Sequence, residues 1–229
     1  MYVISKREFF NLFKGIRSII MIAILFITSY YSAKFSNVFM SEIEFSSKEA
    51  ENIHTAGLLM LILTFGLLFV MSLSHDSINR ETHERTMRFL VTRTSRTSIL
   101  YGKFLGIWLF WFVCVTVSFL LISIFAHKID IFIFLQTISL LTYYIALTIL
   151  LSVLILKPGY TMFLGVLVGL SFPIFWFWIT FTSNIWVSWI KLITPFYYLE
   201  RNDYTFIVIF LFAGVMLFMA NLIFKRRAF

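Results

Sequence analysis

The sequence predicts an all-α, polytopic membrane protein of six transmembrane helices, and three observations predict it. Apolar residues make up 60% of the 229 and charged residues only 13%, with a mean hydropathy of +0.92. A soluble domain carries about a quarter charged residues, so a bilayer must solvate this chain. Apolar stretches recur near 16–33, 55–73, 104–126, 131–156, 160–181 and 204–224, each close to the roughly 20 residues that cross about 30 Å of hydrocarbon as a helix. The basic residues, finally, concentrate between alternate stretches, as membrane topology requires.

Helices are the predicted spans because transmembrane β-strands are shorter and alternate in polarity. The gaps at 127–130 and 157–159 are so short that the third, fourth and fifth spans must be antiparallel neighbours, with Pro158 and Gly159 as turn residues. A cleavable signal is not expected at the N-terminus, since charged and aromatic residues alternate up to Arg17 and no small-residue cleavage site follows the next apolar run, and the first helix is expected to stay in the mature protein. The lone Cys114 lies in an apolar stretch, excluding an intrachain disulfide framework and reading as packing. No internal repeat or low-complexity linker divides the chain, so a single transmembrane domain over 1–229 is expected.

Orientation follows from the cations. With both termini in the cytoplasm, that side holds four of them before the first span, six between the second and third, Lys157, and three at the C-terminus. Only Lys34, Lys48, Lys128, Lys191 and Arg201 fall outside. The net charge of +8 and pI near 9.7 are thereby explained by topology, and nucleic-acid binding is not expected from charges so scattered.

The loop at 75–103 is too polar and too long for a simple turn. Asp76 and Arg80, Glu81 and Arg85, and Glu84 and Arg88 are each acid-then-base at i,i+4, the order that supports an exposed helix; the second span is expected to continue into the cytoplasm. A short amphipathic turn then shows Met87, Phe89 and Leu90, before Gly102 and Lys103 lead into the third span. One reading is a solvated loop whose arginines enforce topology; the other is a docking knob for a partner. Upstream, Tyr2, Val3, Phe9, Phe10, Phe13 and Ile16 fall mainly on one helical face, which predicts an interfacial helix at 1–15 or a plain basic anchor. Between the last two spans, Asn184–Ile190 and Thr194–Tyr198 are too apolar for a free loop, and read as a re-entrant segment or an aromatic belt.

The run from Glu81 to Arg96, followed by Gly102 and Lys103, resembles the E-x-x-x-G-T-x-x-x-L-x-x-x-P-x-x-R…G-K loop of type 2 permeases of ATP-binding cassette (ABC) exporters. Glu81, Thr86, Leu90, Arg96, Gly102 and Lys103 match; Arg85 stands where the family often has Gly, and Arg93 where it often has Pro. The resemblance implies that this segment is a cytoplasmic coupling helix seated in a cleft of an ATPase subunit, with Glu81, Glu84, Thr86, Met87, Phe89, Leu90 and Arg96 as coupling residues. It also makes the N-terminal helix a connecting helix and the segment before the sixth span an outer re-entrant helix. It further implies two ATPase copies, a second permease that is identical or homologous, ATP and Mg on the partner only, and a bacterial cell membrane.

No Asp, Glu, Lys, Arg or His lies near the middle of a span, so a proton relay or ion site of the kind secondary transporters use is not expected. No G-x-x-x-x-G-K-[ST] is present, and no acid, base and nucleophile gather within the membrane; the chain is not expected to be an enzyme or to hold a cofactor or metal. Thr28, Tyr31, Thr64, Gln136 and Tyr143, with Tyr30, Thr116 and Tyr144, would make a polar, uncharged pathway for an amphipathic or hydrophobic cargo such as a peptide toxin, antimicrobial peptide or drug. Polar span residues equally often hydrogen-bond between helices. Gly165 and Gly169 form a close-packing pair suited to a dimer seam or to packing within one subunit. The competing functional class is a membrane sensor or bacteriocin-immunity protein that binds a peptide without moving it.

Overall fold

The structure is a computed structural model; it describes all residues except 43–46, 128–129, 183–190, 193, 202 and 228–229, and side chains within 36–53 are likewise outside the description. Ten α-helices are described: α1 (Tyr2–Lys14), α2 (Ile16–Glu42), α3 (Ser47–Ser74), α4 (Asn79–His83), α5 (Met87–Arg93), α6 (Arg96–Ala126), α7 (Ile131–Leu154), α8 (Pro158–Phe181), α9 (Pro195–Glu200) and α10 (Ile207–Arg226), the last entered through a 3-10 turn at Tyr204–Phe206. Among the described residues there is no strand, and six helices are long and apolar enough to cross a membrane: α2, α3, α6, α7, α8 and α10.

These six are the six apolar stretches of the sequence, with ends displaced where polar residues prolong a helix. At α6 the helix starts at Arg96 rather than near 104. Ser95 caps it by accepting the Ser98 amide through its hydroxyl at 3.3 Å, so Gly102 and Lys103 lie within the helix instead of leading into it. At the other end His127 adopts a left-handed conformation, φ 51°, and turns the chain toward α7.

The bundle is built around α7. In its apolar window 78% of residues are buried, against 17% for α8, so α7 is the axis and α8 the most peripheral span. The axis packs most extensively on α10 and also meets α3, α6 and α8. Its polar side chains turn back on its own backbone: Thr137, Thr142 and Thr148 donate to the carbonyls of Ile133, Ile138 and Tyr144 at 2.7–2.8 Å. A buried helix can carry hydroxyls at low cost by this route.

Small residues set the close crossings. Cβ atoms on Gly165 and Gly169 would stand 3.1 and 2.6 Å from the Met71 and Leu68 side chains, so this pair seats α8 on α3 inside one subunit. A second pair, Gly102 and Gly106, does the same for α1 on α6. A Cβ on Gly106 would lie 2.7 Å from both the Ser5 carbonyl oxygen and Glu8 Cβ, and one on Gly102 3.1 Å from the Met1 carbonyl oxygen. α1 is thus laid along the start of α6 almost backbone to backbone, with Phe13 edge-on to Phe110 at 4.8 Å. Of the two outer segments, Asn184–Ile190 lies outside the described residues, while Thr194–Tyr198 contributes to α9, whose Pro195 and Phe196 are buried.

Gly106→Ala drives a methyl into backbone that cannot rotate away, and should cost about 1–3 kcal/mol; Gly214→Ala, where nothing lies within 4 Å, should be neutral or slightly stabilising. Thermal unfolding of the two variants in detergent checks the contrast.

Candidate functional site

α3 ends at Ser74, and the chain turns through 75–78 before α4 begins. His75 Nδ1 lies 3.0 Å from the Met71 carbonyl oxygen and closes the last turn of α3. The amides of Ile78 and Asn79 both donate to one acceptor, Ser152 Oγ of α7, at 3.1 and 3.3 Å. Asn79 is fully buried and donates through Nδ2 to Thr161 Oγ1 of α8 at 2.5 Å. The otherwise orphaned amides at the start of α4 therefore fasten it to the facing ends of α7 and α8.

α4 is stopped by Arg85, whose φ of 60° lies in the left-handed region. Side chains other than Gly are strained there, which gives a physical reason for Gly being common at the position Arg85 occupies. The turn is then tied by Thr86 Oγ1, which donates to the Glu81 carbonyl oxygen at 3.2 Å, and α5 follows.

Below the turn sits Lys103, 2% exposed. Its ammonium donates to Glu8 Oε1 of α1 and Glu81 Oε1 of α4, both at 2.9 Å, and to the Ser77 carbonyl oxygen in the connecting turn. All three protons are used, and two stretches distant in sequence, α1 and the turn into α4, are joined to α6 at one point. A second cation ties the far end of the loop: Arg96 Nη1 donates to the carbonyl oxygens of Lys225 at 2.7 Å and Arg227 at 2.5 Å, at the C-terminus of α10. Arg227 Nη2 in turn donates to the Leu154 carbonyl oxygen that ends α7, at 3.3 Å. Cations at helix C-termini also complement the helix dipole.

These contacts relocate several sequence-predicted residues. Of the three expected i,i+4 pairs, Asp76 with Arg80 is formed at 3.4 Å, whereas Glu81 turns inward to Lys103 because the breaks at 75–78 and at Arg85 re-aim α4. Met87 is 1% exposed and Leu90 packs against the core, so the expected three-residue apolar knob is reduced to Phe89, 75% exposed. Glu84 and Thr86 are exposed beside it, and Arg96 is committed to α10. Glu8, Asn79, Ser152 and Thr161 were not singled out by sequence, and Lys103 entered only as a match to the loop motif, without its partners. A Gly102-x-x-x-Gly106 spacing around the lysine was a further available signal.

The polar residues of the spans do not line one channel. Gln136 is buried and borders a cavity of about 310 Å³ with Thr137, Trp176, Phe196, Leu199 and Glu200. Two turns along α7, Tyr143 stacks on Phe172, which meets Phe196 at 5.3 Å, so Gln136 and Tyr143 converge on one aromatic group. Thr64 faces a separate groove of about 590 Å³ between α3 and α8, with Phe65, Gly169 and Trp178. Thr28 and Tyr31 lie apart on α2, Tyr31 stacked on Phe35 and touching Tyr30, itself against Phe125 of α6. Thr116 bonds to its own helix at Phe112, and Tyr144 reaches the Leu63 carbonyl oxygen at 3.5 Å.

A bundle of six helices long and apolar enough to span a membrane, with the polar 75–103 segment hydrogen-bonded at its base to α1, α6, α7 and α8, defines a multi-pass membrane protein. Residues 44–200 match the family model described as ABC-2 family transporter protein, well over half of the chain. The chain belongs to that family and is a membrane subunit of an ABC transporter. No curated protein matches it.

Lys103→Met leaves Glu8 and Glu81 as uncompensated, largely buried carboxylates and should cost about 3–5 kcal/mol. Adding Glu8→Gln and Glu81→Gln should restore part of that loss, read as a higher unfolding temperature than the single variant. Arg85→Gly should raise stability by about 0.5–1 kcal/mol by relieving the left-handed strain, measured in the same way.

Proposed function

We propose that this chain is the permease of an ABC exporter that moves an amphipathic or hydrophobic cargo, of the peptide-toxin, antimicrobial-peptide or drug kind, out of the cell. Two copies of a separate ATPase subunit, which carry ATP and Mg, supply the energy. A second permease, identical or homologous, completes the transporter. The charge distribution of the loops supports a cytoplasmic location for both termini and for α4 and α5.

The observation that carries the reading is the contrast between the tip of this loop and its base. Phe89 projects 75% exposed, flanked by exposed Glu84, Arg85 and Arg88. An exposed aromatic ringed by charge suits a pocket on a soluble partner. The base is fixed through Ser152 and Thr161 to α7 and α8, through Lys103 to α6 and α1, and through Arg96 to α10. Displacement of Phe89 by closure of the ATPases on ATP is thus delivered to five helices together, and they rock as units in alternating access. The cavity beside Gln136, with Tyr143, Phe172 and Trp176 nearby, supplies a largely apolar surface with the Gln136 amide, the Thr137 hydroxyl and the Glu200 carboxylate at its border, in keeping with an amphipathic cargo. The exposed apolar face of α8 is the surface offered to lipid or to the second permease.

A tagged chain isolated from its own host should bring down an ABC ATPase, and Phe89→Asp should reduce that recovery about tenfold or more while leaving the unfolding temperature unchanged. Failure of the unaltered chain to recover any ATPase sinks the exporter reading in favour of a sensor or immunity protein. Undiminished cargo-stimulated ATPase activity in the Phe89→Asp complex sinks the role given to the loop.

A further inference from the structure

The cavity of about 310 Å³ beside Gln136 lies at the end of the bundle opposite the 75–103 loop, between the first half of α3, the first half of α7, the end of α8 and α9. Its wall is mostly apolar, with Leu59 and Ile62 from α3, Leu140 from α7, Trp176 from α8 and Phe196 from α9. Trp176 and Phe196 meet with ring centroids 5.3 Å apart.

Three polar residues border this apolar space, and they differ in what they have left to offer. The Thr137 hydroxyl is spent on the Ile133 carbonyl oxygen at 2.8 Å. Gln136 is only 5% exposed, and its Nε2 reaches the Leu199 carbonyl oxygen at 3.5 Å. A carbonyl accepts and does not donate, so the NH2 group must take that side and Oε1 the other. Among the described residues nothing donates to Oε1, and it keeps accessible surface, unlike the enclosed Asn79 Oδ1 and Asn221 Oδ1.

Glu200, the last residue of α9, is exposed where it borders the cavity. Among the described residues no cation lies within ion-pair distance of it. Its neighbour Arg201 is placed over the Tyr197 ring at 5.0 Å instead. The open polar groups are thus an amide oxygen and a carboxylate, both acceptors. An anionic ligand is repelled there, and an alcohol can satisfy Gln136 but brings no counter-charge to Glu200. A cation with N–H donors meets both needs.

We infer that this cavity binds a cationic amphipath, an apolar chain or side chain that ends in a primary ammonium or a guanidinium. The apolar part fills the space between Leu59, Ile62, Leu140 and Trp176, and the cation is held by Gln136 Oε1 and Glu200. That such a ligand is cargo rests on the exporter reading above; that it binds does not. A membrane aminophospholipid is disfavoured, because with its chains in the cavity the phosphate would meet Glu200 before the ammonium.

The full chain in phosphatidylcholine nanodiscs, with empty discs subtracted, should bind radiolabelled octylamine about tenfold more tightly than octanol, and octanoate most weakly of the three. Glu200→Gln should remove the advantage of octylamine over octanol at an unchanged unfolding temperature. Asp203→Asn, the same change of charge at an exposed position outside the cavity wall, should preserve it. Equal binding of octylamine and octanol by the unaltered chain overturns the inference without recourse to any variant. Tighter binding of octanoate, an unchanged preference in Glu200→Gln, or displacement of octylamine when phosphatidylethanolamine replaces half of the disc lipid overturns it as well. Recovery of an ABC ATPase is a separate measurement: its failure with the octylamine preference intact sinks the exporter reading alone, and its success without that preference sinks only the cationic ligand.

Discussion

The Lys103 ammonium is the constraint on which this end of the molecule depends. An ammonium placed out of water is several kcal/mol costly unless each proton finds an acceptor and its charge a counter-charge. Lys103 meets both demands by drawing together two segments far apart in sequence: α1 through Glu8, and the turn into α4 through the Ser77 carbonyl oxygen and Glu81. The arrangement is possible only because Gly102 and Gly106 flank the lysine and let α1 approach the α6 backbone. Close backbone approach and buried charge are thus one device, in which the glycines create the site and the lysine makes its occupancy specific.

Around that point the remaining ties work by the same economy of donors and acceptors. Ser152 accepts two amides at once, Asn79 spends its amide nitrogen on Thr161, and Arg96 takes up the carbonyls that α10 cannot use internally. The ties through Ser152 and Arg96 use backbone groups that a helix terminus leaves over, and that through Asn79 joins two buried side chains. The loop is stiff for that reason, although α4 and α5 are only 5 and 7 residues long and neither would be stable as an isolated helix. Under the coupling role proposed for it, such anchoring matters, since a compliant loop would absorb displacement rather than pass it on.

The spans were legible in the sequence because hydropathy over some 20 residues is a collective property that no single contact overrides. Polar packing was not, and the errors have a common form. Pairing Glu81 with Arg85 and Glu84 with Arg88 assumed a continuous helix, yet the turn at 75–78 and the left-handed Arg85 break it twice, and every face assignment beyond a break changes. Met87 read as exposed because an amphipathic turn shows which residues share a face but not which face is covered. Lys103 was counted as one more topology-setting cation, since sequence does not distinguish a snorkelling lysine from one enclosed by carboxylates 95 and 22 positions away. The Gly165 and Gly169 pair was legible as close packing, but its partner, α3 of the same chain, was not.

The Arg96 contacts have a further consequence for how the last helix can vary. The guanidinium binds main-chain oxygens at 224, 225 and 227, so it is indifferent to which side chains those residues carry. It is sensitive to where the helix stops. Inserting or deleting one residue within α10 would turn these oxygens by about 100° and shift them by about 1.5 Å along the axis, carrying them out of reach. The final span is therefore free in composition along its lipid face but fixed in register, a form of constraint that appears as an intolerance of insertions and deletions rather than of substitutions.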